Sequence, residues 1–190
     1  MRAWSPLAPS HGLYDPRLVQ VEEPVAYWAD EALDIGYVIG AKDWHPTFQP
    51  DYSPRQMALM GVFGDAYWGD ALGQERAALL PASFTAPKEG KVYTNHRSAQ
   101  AKRINYHGRP ASFPRDWWLD KGLIFNYDPL GWYEWYCWYW LGRRVPHYDA
   151  HQIWRWRNFV TRTRAMYQTT GHAGSAQALL HWAAAPEERC

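Results

Sequence analysis

Cysteine is nearly absent. The 190 residues hold two, Cys137 and Cys190, too few for a disulfide framework or a zinc site of their own, and both read as free thiols. Long apolar runs are missing too. No stretch approaches the roughly 20 uninterrupted apolar residues that a membrane-spanning helix needs. Residues Met1 to Tyr14 lack the apolar segment of a secretory signal, so a cytoplasmic location is expected. Phosphate-cradling loops are also lacking, because Gly61-Val62-Phe63-Gly64 has neither the glycine spacing nor the lysine of such a loop. The eight histidines are scattered. The closest pair, His147 and His151, stands outside any metalloprotease-like motif, and neither a metal nor another cofactor is expected.

Phenylalanine is scarce beside the other aromatics, with 6 Phe against 13 Trp and 13 Tyr. Most aromatic surface therefore carries a polar tip that needs a partner once buried, which favours polar-lined cavities. Net charge is close to zero, at +1, but unevenly spread. Residues 1–90 hold 6 basic and 12 acidic side chains, and residues 91–190 hold 14 and 7. Either the halves attract one another within one fold or the basic half faces an anionic ligand or nucleic acid.

Length and pattern predict one mainly α domain over residues 1–190, with about five helices around a central aromatic helix. Residues 1–52 read as an irregular, proline-rich wrap and residues 53–186 as the helical core. A short helix or strand is expected between Val25 and Ile39. Ser53-Pro54-Arg55-Gln56 forms a capping box with proline at the first helical position, and Gly61 closes that helix. A second helix is expected over residues 70–80, followed by a long irregular connection to Tyr106. Asp128 and Pro129 read as N-cap and first residue of the central helix, which ends at Leu141-Gly142 with Arg143 and Arg144 against its negative pole. Asp149 reads as the cap of the next helix, ended by Gly171, and a last helix starts near Gly174 and stops before Pro186.

The run Asp128-Pro129-Leu130-Gly131-Trp132-Tyr133-Glu134-Trp135-Tyr136-Cys137, then Leu141-Gly142-Arg143-Arg144, then Gln152-Ile153 with Arg155-Trp156-Arg157, resembles a family of small uncharacterised proteins of bacteria, fungi and algae. Its members read D-P-x-G-W-F-Q-W-Y-C, L-G-R-R and Q-I-x-R-W. Gly61 to Gly64 with Tyr67, and Gln177-Ala178-Leu179-Leu180-His181-Trp182, resemble two further motifs of that family. The resemblance implies no activity. This chain departs from the pattern at Glu134, where the family carries Gln, and at Leu119, where it carries Arg.

Several residue groups carry candidate chemistry. Glu134, one turn into a helix saturated with Trp and Tyr, has the environment that raises a carboxyl pKa toward neutrality. Asn105-Tyr106-His107-Gly108-Arg109 combines an amide, a phenol, an imidazole and a guanidinium in one loop, and Asp43-Trp44-His45 places an acid beside an imidazole. The leading expectation is a cofactor-independent enzyme or binding protein for an organic molecule of the natural-product kind. Trp132, Trp135, Tyr136 and Tyr139 would shape its pocket and Glu134 or His107 would handle protons. Arg143 and Arg144 would hold a carboxylate or carbonyl, with Tyr67 and Asn105 on a second side. A lyase, isomerase or cyclase would fit such a site. One alternative is a nucleic-acid-binding protein using the Arg- and Trp-rich stretch 155–164. Another is a structural or partner-binding subunit whose Trp surface is an interface.

Overall fold

The computed structural model describes residues 44–63, 67–85, 105–109 and 113–187, together with the backbone of three strands, β1 (Ser5–Pro6), β2 (Ala26–Asp30) and β3 (Ile35–Val38). The strands pair antiparallel in the order β1-β2-β3, with Tyr27 opposite both Ser5 and Val38. The segment Val25 to Ile39 thus holds two short strands, and the helical spacing read there does not decide its structure.

The described residues are mainly α. Seven helices are found among them: α1 (Pro54–Met60), α2 (Ala71–Ala77), α3 (Ala82–Thr85), α4 (Arg115–Asp120), α5 (Trp132–Trp140), α6 (Pro146–Thr170) and α7 (Ala173–His181). The two beyond the expected five are α3, inside the stretch read as irregular, and α4. Both are short, of four and six residues, and α4 has no buried side chain, so neither shows the long apolar periodicity that reveals a helix in sequence. Residues 86–104 of the expected connection lie outside the described residues, as do Asp43, Gly64 and Cys190.

Local chemistry explains the helix ends. Ser53 accepts from the Gln56 backbone N–H at 3.2 Å while the Gln56 side chain accepts from the Ser53 N–H at 2.8 Å, and Gly61 terminates α1 at φ +66°. Asp70 caps α2 by accepting from Gly73 N at 2.7 Å. The start of α5 differs from expectation. Its N-cap is Gly131, at φ +96° and ψ −153°, a region open essentially to glycine alone. Asp128 lies three residues earlier because its carboxylate is held by Arg143, with one bond of 2.8 Å from Nη1 to Oδ1 and a second from Nη2 to Oδ2. Asp149 likewise is not the cap of α6. Val145 is, and Asp149, one turn inside, accepts from the Val145 N–H at 2.7 Å.

Helix α5 is the centre of the fold, with every residue from Trp132 to Tyr139 buried. Phe48 packs on one side, its ring centroid 5.4 to 6.4 Å from Trp132, Trp135, Tyr136 and Tyr139. The Tyr133 hydroxyl lies 3.0 Å from the Phe84 carbonyl and 3.2 Å from that of Pro54, sharing its one proton between them, which ties α5 to α1 and α3. Trp135 Nε1 donates to Asp149 at 2.8 Å, which ties it to α6, and Trp182 lies 4.9 Å from Trp132 beyond the end of α7. Polar tips let Tyr and Trp fill a core while reaching carbonyls and carboxylates at its margin. Among the described residues no helix is long and apolar enough to cross a membrane.

Candidate functional site

Glu134 is fully buried, and both of its carboxylate oxygens are occupied. Oε1 accepts from Nε of Arg76 and Oε2 accepts from the Leu130 N–H at 2.9 Å. Arg143, expected to hold a ligand's carboxylate or carbonyl, instead holds the Asp128 carboxylate. Tyr67 completes the arrangement, accepting from Glu134 N at 3.0 Å and donating to Leu130 O at 2.7 Å. Burial and the Asp128 charge push the Glu134 carboxyl up to about 7 against the opposing pull of Arg76, and burial pushes the Tyr67 phenol well above its usual value. A phenol kept neutral is what donating and accepting at once requires. The group therefore staples the loop before α5 onto its first turn.

The other expected residues are distributed as follows. Trp135, Tyr136 and Tyr139 are at most 2% exposed and Trp132 is 7% exposed, so these four pack as core. Tyr136 donates to Tyr52 O, and Tyr139 accepts from His45 N at 3.0 Å. Among the described residues, Nε1 of Trp132 and of Trp138 has no hydrogen-bond partner. The Arg144 guanidinium lies 3.8 Å over the Tyr139 ring and donates to the Tyr139 and Arg143 carbonyls, clamping the end of α5. Asn105 bridges its own loop, donating to Arg109 O at 2.6 Å and accepting from Arg109 N at 3.0 Å. His107 is anchored by its backbone N–H to Oε1 of Gln177 at 2.8 Å, and burial lowers its imidazole pKa. Glu134, Tyr67 and the α5 aromatics thus come together, whereas His107 and Asn105 belong to a loop docked on α7.

Concave space lies elsewhere. A cavity between α1, Phe84 and Tyr133 measures about 10 Å³, room for about one water. An open groove of about 460 Å³ is lined by Trp44, Phe48, Gln49, Pro50 and Trp140, within the size range of small-molecule sites. The Trp44 ring lies nearly parallel to Phe48, 5.5 Å away, and nearly perpendicular to Trp140, 5.3 Å away. Trp44 and Trp140 are 36% and 40% exposed, while Phe48 forms a buried floor. The groove is held in place by the bond from His45 N to Tyr139 OH and by Trp140 itself, the last residue of α5. Sequence reasoning missed this set. Trp140 shares the aromatic run of α5 and is set apart only by standing at its end, and Phe48 lies in a stretch without periodicity.

Among the described residues, no group of three or more His, Cys, Asp or Glu is placed to hold a metal ion. No family model, curated protein or solved structure matches the chain.

Proposed function

We propose that the protein is a cytoplasmic small-molecule-binding protein whose site is the groove between Trp44 and Trp140. The observation that carries this reading is a ligand-sized concavity walled by two partly exposed indoles on a fixed aromatic floor. Among the described residues the lining holds no charged side chain, which favours a flat, largely apolar, uncharged organic molecule as the ligand class. Indole faces supply stacking, and the exposed Gln49 amide supplies one polar contact that orients the ligand. Proton transfer at Glu134 plays no part in this reading, because both oxygens of that carboxylate are already engaged within the chain.

The test is titration with uncharged aromatic probes, indole, 2-naphthol and flavone, followed by isothermal calorimetry. At least one is expected to bind, with Trp44→Leu and Trp140→Leu each weakening it by about fivefold or more, the scale of a lost ring–ring contact. Absence of binding by all three, or affinity untouched by both substitutions in a folded protein, overturns the reading.

A further inference from the structure

Helix α6 spans 25 residues, and its apolar stripe, Tyr148, Ile153, Trp156 and Val160, is buried. At about 100° per residue, the opposite face carries His147, His151, Trp154 and Asn158 at i, i+4, i+7 and i+11, all exposed. Arg157 and Arg162 stand exposed on its two edges. Trp154 is 56% exposed, unusual for the largest apolar side chain on a helix that already has a core-facing side. The His151 ring lies 6.1 Å from Trp154 and 5.3 Å from Phe125, and Tyr127 approaches His147 from the same loop. The only acidic residue of α6 is Asp149, which is buried and bonded to Trp135 and Val145. The exposed face thus has cations and aromatic rings and no carboxylate of its own.

The four arginines of residues 155–164 divide into two kinds. Arg155 donates to Leu123 O and Gln152, and Arg164 pairs with Asp51. Arg157 and Arg162 are exposed, as Trp154 is, and neither lines the groove. We propose that this face of α6 binds single-stranded nucleic acid, with Trp154 stacking on a base and Arg157 and Arg162 contacting phosphates of the adjoining backbone. An exposed indole followed along the helix by two cations, one on each edge of the face, matches a stacked base and the phosphates of the adjoining backbone. A polyacidic peptide would engage the cations but would leave the indole without a stacking partner.

The experiment measures fluorescence anisotropy of a labelled (dT)20 oligonucleotide with the full chain, in parallel with a 20-base-pair duplex and a poly-glutamate peptide. Two phosphate contacts predict a salt slope near −1.4, about a sevenfold loss of affinity between 50 and 200 mM salt. Trp154→Ala is expected to weaken (dT)20 about tenfold. Arg157→Ala with Arg162→Ala together should flatten the salt slope. All these positions are exposed on the helix, and circular dichroism melting verifies that each variant is folded. No binding of (dT)20, binding indifferent to Trp154→Ala, or equal affinity for duplex or poly-glutamate overturns the proposal. Unlike failure in the aromatic-probe titration, any of these outcomes leaves the groove reading untouched.

Discussion

Gln177 shows how one buried side chain joins distant parts of the chain. Gln177 Nε2 donates both to the Val62 carbonyl and toward Nε2 of His181, each at 3.0 Å, while Gln177 Oε1 accepts from His107 N. The imidazole is thereby an acceptor at Nε2, neutral, and stacked 4.7 Å from Phe63. Burial lowers its pKa from the usual 6.5 to about 4. The unfolded chain takes up that proton near pH 6.5 and the folded chain only near 4, so the neutral ring's contribution is complete above pH 6.5 and is lost as pH falls toward 4. The interval corresponds to about 3 kcal/mol. Glu134 and Asp149 act oppositely, since burial raises them to about 7 and about 6, and their protonation favours the folded state across part of the same range. The His181 effect is therefore read by subtraction. The stability difference between the native chain and His181→Gln, from urea melts, is expected to shrink by about 3 kcal/mol between pH 7 and pH 4. A difference constant with pH would show that the imidazole has the same pKa in the folded and unfolded states.

Between α4 and α5, element geometry turns on glycine. Gly131, at φ +96° and ψ −153°, sets the entry to α5, and a β-carbon there would meet Ile124 at an ordinary 3.6 Å. The cost of Gly131→Ala is therefore backbone strain and not collision, about 1 to 3 kcal/mol. Gly122, at φ +64° with open space around it, offers a comparison. Gly122→Ala should cost about 1 kcal/mol, the lesser penalty of the left-handed helical region. Thermal denaturation of both variants checks the order, and equal losses would contradict it. The same helix marks how far sequence reading reaches. The capping box at Ser53, the Gly171 stop and the aromatic composition of α5 depend on neighbours within four residues, and all were legible. Asp128 has the composition of a cap, but it is claimed by Arg143, fifteen residues on, through a contact that local pattern does not encode. The candidate groove was illegible for the same reason. It brings Trp44 and Phe48 against Trp140, nearly a hundred residues away, and periodicity reports which face of α5 is apolar without reporting where that face runs out of partners.

The opposite charges of the two halves of the chain meet in specific pairs. Arg115 pairs with Asp70 at 2.9 Å and Arg164 with Asp51 at 3.1 Å, each joining an acid of residues 1–90 to a base of residues 91–190. Composition announces the attraction without naming the partners. Asp51 does more than pair. Its Oδ2 also accepts from Ala185 N at 2.7 Å, while Ala183 O accepts from the N–H groups of Asp51 and Tyr52, so the segment before α1 is bound to the segment after α7. The ion pair lies at a partly exposed position, where such pairs contribute about 0 to 1 kcal/mol. The acceptor for the Ala185 N–H matters more, because Ala185 is buried and an unsatisfied buried donor costs about 1 to 3 kcal/mol. Asp51→Asn removes the charge and keeps an oxygen, so it should cost under about 1 kcal/mol, with much of that difference gone in 1 M salt, where the Debye length falls to about 3 Å. Asp51→Ala removes both and should cost about 1 to 3 kcal/mol in low and high salt alike. Chemical denaturation of the two variants at both ionic strengths separates the terms. A large, salt-sensitive loss in Asp51→Asn would instead make long-range charge attraction the principal tie between the two ends of the fold.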